Sequence, residues 1–166
     1  MSGGLSLPEG EARPTIADIF IVTAGLEDLA DLVPLFDAYR AFFAGSHDAA
    51  ESKRFLAERL GCKDSVVFLA RSGERAEGFI QLYPLWSSWY CRRIWFLSDL
   101  YVRELSRKRG LGRRLVESAL AHARATNASS VMVELPHREP HLRAFYAGLG
   151  FHQDEVFDLA RYRLET

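Results

Sequence analysis

Six of the 21 basic side chains fall between Arg103 and Arg114. Five of them crowd one short stretch, Arg107-Lys108-Arg109-Gly110-Leu111-Gly112-Arg113-Arg114. Leu111, Leu115, Val116, Ala119, Leu120 and Ala123 then recur at helical spacing, so this stretch opens a helix. A helix start already carries about half a positive charge, and each added cation there costs roughly 0.3–1 kcal/mol. Such crowding makes sense when an anion normally sits at the site. Gly110 and Gly112 carry no side chains to hold it off, so backbone N–H groups could approach a phosphate directly. The pattern implies a polyanionic ligand, and a pyrophosphate fits it. The plain alternative is a solvated basic helix start whose glycines serve tight helix–sheet packing.

The spacing excludes the commonest phosphate loops. GxxxxGK[ST] is absent, and no GxGxxG follows a first strand of a βαβ unit. Nucleic acid is open on charge alone, but the bases sit in one loop and the pI is near 6.5, which argues against it. The net charge of −1 hides a polarity. Residues 1–90 hold eight basic and thirteen acidic side chains, and residues 91–166 hold thirteen and nine. The acidic first half would attract a cationic partner. Cys62 and Cys91 make neither a disulfide framework nor a metal spacing and read as free thiols of a reducing cytoplasm. The five histidines are scattered, and Pro140 separates His137 from His141, so no metal is expected. No apolar run approaches the roughly 18–20 residues of a membrane span. Met1–Asp18 lacks the basic flank and apolar stretch of a signal peptide and reads as a flexible tail.

The elements that must position the basic loop follow from periodicity. With 166 residues, one domain over 19–166 is expected. Ile19–Thr23 predicts a strand. Leu29, Val33, Phe36, Tyr39 and Phe43 predict a helix over 27–43, kinked or divided at Pro34 and ended by Gly45. Asp48 with Glu51 resembles a capping box for a second helix reaching Leu60 and stopping at Gly61. Strands are predicted over 65–70, over 77–85 (ended by Pro84 and the Ser87-Ser88 pair) and over 93–102, forming an antiparallel meander. After the third helix, with Asn127 as its cap, come a strand over 131–135 and a helix opened by Pro140. That helix turns Leu142, Phe145, Tyr146 and Leu149 inward, Phe145 being the more natural core residue of the aromatic pair. Strands over 151–153 and 157–164 complete the sheet. The order is β-α-α-β-β-β-α-β-α-β-β, an α/β fold with a mixed sheet.

Asp99-Leu100-Tyr101-Val102, then Arg107-x-x-Gly110-x-Gly112, then an amphipathic helix, resembles the acyl-CoA signature of the GNAT acetyltransferase superfamily. Phe145-Tyr146-x-x-x-Gly150-Phe151 resembles that family's late helix and following strand. The resemblance covers about residues 19–164. It implies the GNAT acyl-CoA N-acyltransferase fold and an acetyl-CoA-dependent N-acetyltransferase. It further implies that the backbone at Leu100 and Val102 meets the pantetheine arm as an added strand would, with Tyr101 between them counted among the cofactor-binding residues. Arg107 and the stretch Lys108, Arg109, Gly110, Leu111, Gly112 and Arg113 would hold the pyrophosphate. Tyr146 would be the general acid for the leaving thiolate. Three positions depart from the family pattern. Lys108 stands where a glycine is frequent, Glu104 where a proline is common, and Glu139 where an asparagine is usual.

An attacking amine must lose a proton, which a nearby carboxylate can accept. Asp99 is the first candidate, as base or as amine-binding group, and Glu134 the second. Leu97-Ser98-Asp99-Leu100-Tyr101-Val102 is similar to the diamine acetyltransferase branch, with Ser98 in place of the first of two acids. Gly78-Phe79-Ile80-Gln81-Leu82-Tyr83-Pro84 is similar, more loosely, to bacterial relatives of the histone/polyamine acetyltransferases. Tyr39, Phe43, Tyr83 and Trp86 could form an aromatic wall that suits a cationic amine. No Cys or Ser is set up as an acyl carrier, so direct transfer in a ternary complex to a small amine is expected. A protein lysine or N-terminal acceptor stays open, as do a non-catalytic acyl-CoA-binding regulator and a homodimer.

Overall fold

The structure, a computed structural model, describes residues 18–45, 48–137, 139–155 and 158–164. Most of the expected N-terminal tail, residues 1–17, lies outside them. Residues up to Val133 form one compact unit, and those from Glu134 onward a second.

In the first unit, β1 (Ile19–Thr23), β2 (Val66–Ser72), β3 (Arg75–Ser87), β4 (Arg92–Val102) and β5 (Ser130–Val133) form one sheet in chain order. The first four strands pair antiparallel. β5 runs parallel to β4, because the connection between them is a helix, α3 (Leu111–Ala125). Alternation along the strands divides the sheet into two faces. Val67, Leu69 and Phe79 pack with Leu32, Leu35 and Phe36 of α1 (Leu29–Ala44) and with Leu56 of α2 (Ala49–Cys62). On the other face Phe68 and Trp95 meet His122 of α3, and the Trp95 indole N–H donates to Thr126 at 2.8 Å.

Sequence signals held where a local hydrogen bond enforces them. Asp48 caps α2 by accepting from the backbone N–H groups of Ala50 and Glu51. Gly45 ends α1 in the left-handed region at φ 70°, with its N–H on the Ala41 carbonyl. Buried Ser52 binds α2 to α1, donating to Asp37 at 2.9 Å and accepting from Arg40 at 3.0 Å. On α3 the buried stripe is Leu111, Leu115, Val116, Ala119 and Ala123. Fully burying one Leu or Val contributes about 1.5–3 kcal/mol, so this stripe outweighs the penalty of the cations at the helix start.

Other signals were overridden. Pro34 lies inside α1 and does not divide it. A proline removes one backbone donor, and the buried Leu32, Leu35 and Phe36 around it hold the helix together. Gly61 lies within α2, whose cap is Lys63 at φ 54°. β3 runs on through Pro84, which lies opposite Trp95, and ends at Ser87, at the serine pair rather than at the proline. β5 stops at Val133 and so excludes Glu134. Thr126, rather than Asn127, is the C-cap of α3.

The second unit holds α4 (Pro140–Ala147), opened by its proline as expected. The strands expected over 151–153 and 157–164 are absent among the described residues; 156 and 157 lie outside them. Leu159, Tyr162 and Leu164 are exposed there.

At Gly78 the sheet is too tight for a side chain. A Cβ there would meet the Tyr101 carbonyl oxygen at 2.7 Å and the Val102 Cα at 3.2 Å, both backbone atoms. Gly78→Ala is expected to destabilise the fold by about 1–3 kcal/mol, measured by urea unfolding.

Candidate active site

The register of β3 on β4 contains one irregularity. Leu82 faces Leu97, but Gln81 faces Asp99. Ser98 is therefore an extra residue on β4, a β-bulge. Directly opposed residues share a face, and Gln81 and Leu82 point to opposite faces. Leu97 consequently points with Trp95 toward α3, while Asp99 and Tyr101 turn to the α1 side. Without the bulge, Asp99 would follow Trp95 and Leu97 into the α3 face.

Once turned, Asp99 is 8% exposed. Its carboxylate accepts hydrogen bonds from Tyr39 on α1 and from Ser98. Burial raises its pKa despite these bonds, because desolvation penalises the charged form. Gln81 lies opposite with no measurable exposure and its Nε2 donates to Ser65 Oγ at 2.9 Å, leaving Oε1 without a hydrogen-bond partner. Tyr83 shares this face, and its phenol is pushed up by burial and then by the charge of Asp99. The structure thus brings together Asp99, Tyr39 and Tyr83. Phe43 lies against Tyr39 at a centroid distance of 4.9 Å, with the rings tilted by 50°, but is half exposed.

Trp86 does not join this wall. It faces Arg93 in the register, and the Arg93 guanidinium lies over both Trp86 (5.1 Å) and Trp95 (5.2 Å). Trp86 is therefore on the α3 face and 72% exposed. The parity of a strand sets this: 83 and 86 are an odd number of residues apart. Gln81 and Ser65 were not expected in the site. Their only sequence signal is two polar residues inside apolar strands, SVVFLA and GFIQLY.

Beyond the bulge β4 leads to the basic loop. The Arg103 N–H donates to the Glu77 carbonyl on β3 at 2.9 Å. Amide and carbonyl groups alternate sides along a strand of trans peptides, so those of Leu100 and Val102 point away from β3. Pairing of β4 with β5 stops at Leu97 opposite Val133. Leu100 and Val102 thus present backbone groups beyond the paired segment, as an added strand would need. Tyr101 lies between them and is turned the other way. Its carbonyl is turned to β3 beside Gly78, and its ring joins the α1-side core. Arg107 Nε donates to the Val102 carbonyl at 2.8 Å, and its guanidinium lies over Tyr101 and Phe42.

The start of α3 fits an anion. Its N-cap is Gly110 at φ 81°, which offers no side-chain cap, and the first turn holds no acidic residue. The early N–H groups are left for another acceptor. Arg109 Nη1 is buried without a hydrogen-bond partner. Lys108 adopts φ 58°, a conformation that costs an L-residue roughly 1–2 kcal/mol; this accounts for the glycine frequent at that position in the family. Arg113 pairs with Glu117 at 3.8 Å, and Arg114 donates to the Ile19 carbonyl at 2.7 Å, tying α3 to β1.

In the second unit Tyr146 is buried at 5% exposure, edge-on to Phe145 and Phe151. This reverses the expected packing, since Phe145 is only half-buried. Burial pushes the Tyr146 phenol well above its ordinary value, so it stays protonated. Glu134 is exposed, and both its oxygens accept from Arg161, at 2.9 and 3.0 Å.

Comparison with known proteins gives the family. The profile of the Acetyltransferase (GNAT) family matches residues 32–151. The chain belongs to that family, and it is an acetyltransferase of the GNAT kind. It is similar to the uncharacterized N-acetyltransferase YhfO of Bacillus subtilis, with 34% identity over 81% of this chain and 90% of that protein. It is also similar to the D-amino-acid N-acetyltransferase HPA3 of Saccharomyces cerevisiae, with 25% identity over 62% of this chain and 63% of that one. A crystal structure of a "probable acetyltransferase" superposes with a TM-score of 0.85 at 36% identity, covering 89% of this chain and 99% of that one.

The environment of Asp99 predicts a stability profile. Folded protein holds its proton more tightly than unfolded chain does, because the pKa is raised by burial. Stability should fall as pH rises from the ordinary aspartate range through that raised value. Asp99→Asn should lack this fall. Urea titrations of both proteins across the acid range measure it, and superimposable profiles would contradict the desolvated environment.

Proposed function

We propose that the protein transfers an acetyl group from acetyl-CoA to a small primary amine, by direct attack within a ternary complex. The observation that carries this reading is the buried Asp99 carboxylate, turned by the Ser98 bulge into a face with Tyr39 and Tyr83 on the strand that leads to the basic loop. A half-apolar site with one carboxylate and aromatic faces favours a cationic amine over a neutral or anionic acceptor. The yeast relative's name, a D-amino-acid N-acetyltransferase, supports a small amine acceptor.

Bound acetyl-CoA supplies an acetyl thioester. The first-turn N–H groups of α3, with Lys108 and Arg109, hold the pyrophosphate, and Leu100 and Val102 offer backbone groups to the pantetheine. Asp99 binds the ammonium group and accepts its proton. Its raised pKa makes it a better base than an exposed aspartate. Glu134 is less suited, since Arg161 already occupies its oxygens. Tyr146, kept protonated by burial, takes the general-acid role at its Oη.

Two measurements test this. Acetyl-CoA at a hundredfold excess over its Kd should stabilise the protein by about 2.7 kcal/mol, a Tm rise of about 5–10 °C. No shift at millimolar ligand would remove the reading. Tyr146→Phe should lower kcat by about 100-fold while leaving acetyl-CoA affinity close to wild type; unchanged turnover would return Tyr146 to a packing role.

A further inference from the structure

Glu77 takes no part in the acceptor site, yet this carboxylate on β3 is 1% exposed. A carboxylate at that depth costs several kcal/mol unless its oxygens are satisfied. The Ser106 hydroxyl donates to Oε2 at 2.7 Å, and Ser106 is itself 2% exposed. Arg75 Nε lies 3.3 Å from Oε1, which has no hydrogen-bond partner.

The backbone explains how the side chain gets there. Ala70 faces Gly78 and Arg71 faces Ala76, so Glu77 is an extra residue on β3 against β2. It is thereby released from the alternation of the ladder. The chain just after β4 is clasped to the same two residues of β3. The Arg103 N–H donates to the Glu77 carbonyl at 2.9 Å, and Arg103 Nε donates to the Ala76 carbonyl at 2.7 Å. Residues 104–106 then make a single 3-10 turn, closed by the Ser106 N–H on the Arg103 carbonyl. Arg107 follows directly. The Glu77–Ser106 bond is thus the last side-chain anchor before the loop that leads into α3.

We propose that Glu77 is a positioning residue for the anion-binding loop: through Ser106 it fixes where the segment from Arg107 to Gly112 begins relative to β4. The inference rests on the reading of that loop as the phosphate-binding element. The loop has a glycine cap and a left-handed Lys108, and two side-chain bonds hold its beginning to the strands: Arg107 on the Val102 carbonyl of β4 and Ser106 on Glu77 of β3. A hydrogen bond to a charged group contributes more than a neutral one.

The test uses wild-type protein, Ser106→Ala, Ser106→Thr, Glu77→Ala and Glu77→Gln. Coenzyme A binding is measured by calorimetry, and amide hydrogen exchange is measured on the ligand-free proteins. Ser106→Ala and Glu77→Ala should weaken coenzyme A binding by about tenfold. Exchange should rise over residues 107–113 and stay at the wild-type level in α1 and β2. Ser106→Thr keeps the hydroxyl and Glu77→Gln keeps an acceptor oxygen, so both should bind like wild type. If Glu77→Ala does not fold, Ser106→Ala with its threonine control carries the test. Wild-type binding with unchanged binding in Ser106→Ala overturns the inference alone. A rise in exchange spread over the whole sheet also overturns it, by showing a general stabilising role. No binding by the wild type overturns the cofactor reading and this inference with it.

Discussion

One extra residue in one strand decides which face of the sheet Asp99 takes. Side chains of a strand alternate strictly, so Asp99 would share the α3 face with Trp95 and Leu97 if β4 were regular. The bulge at Ser98 shifts the parity by one, and everything from Asp99 onward changes sides. The carboxylate then lies under α1, where Tyr39 donates to it. The same shift sends the Tyr101 ring into the α1-side core, where it lies beneath the Arg107 guanidinium. The cost is a desolvated carboxylate, and the raised pKa records it.

A second irregularity, at Glu77, lies on the neighbouring strand and acts on the loop end of β4. It brings a buried carboxylate to Ser106, while Gly78 next to it allows the backbones of β3 and β4 to approach closely. The two bulges divide the work of one long hairpin. One turns a carboxylate to the α1 side; the other holds the chain as it leaves the sheet. Electrostatics then differ between the two regions. The α1 side carries a carboxylate in an apolar, aromatic setting, and the start of α3 carries cations around N–H groups that no side chain caps. Apolar burial along α3 holds that unfavourable charge in place.

Features governed by neighbours in sequence were legible before the fold was known. The Asp48 cap, the Gly45 stop, the α3 stripe and the basic, glycine-containing loop each depend on contacts within a few residues. Asp99, Tyr39 and Tyr83 could be named as candidates. Trp86 was a false member of the group, because a run of aromatics in sequence does not show which face each one takes. Pro34, Gly61 and Pro84 were misleading for a related reason. Each weakens its element locally, but buried neighbours or a cross-strand partner hold the chain in place. The strands expected near the C-terminus show the converse: Leu159, Tyr162 and Leu164 are apolar or aromatic, yet all three are exposed.

By itself the sequence determined the element order through β5 and α4, the basic, glycine-containing start of α3 and the family to which the chain belongs. These rest on periodicity, capping and a compact motif, all properties of short stretches. Only the tertiary structure decided that Asp99 faces α1, that Trp86 faces away, that Tyr146 rather than Phe145 is the buried ring, and that Glu77 holds Ser106. Each of these depends on pairing register or packing between residues far apart in the chain, and a one-residue slip in register reverses every face it touches.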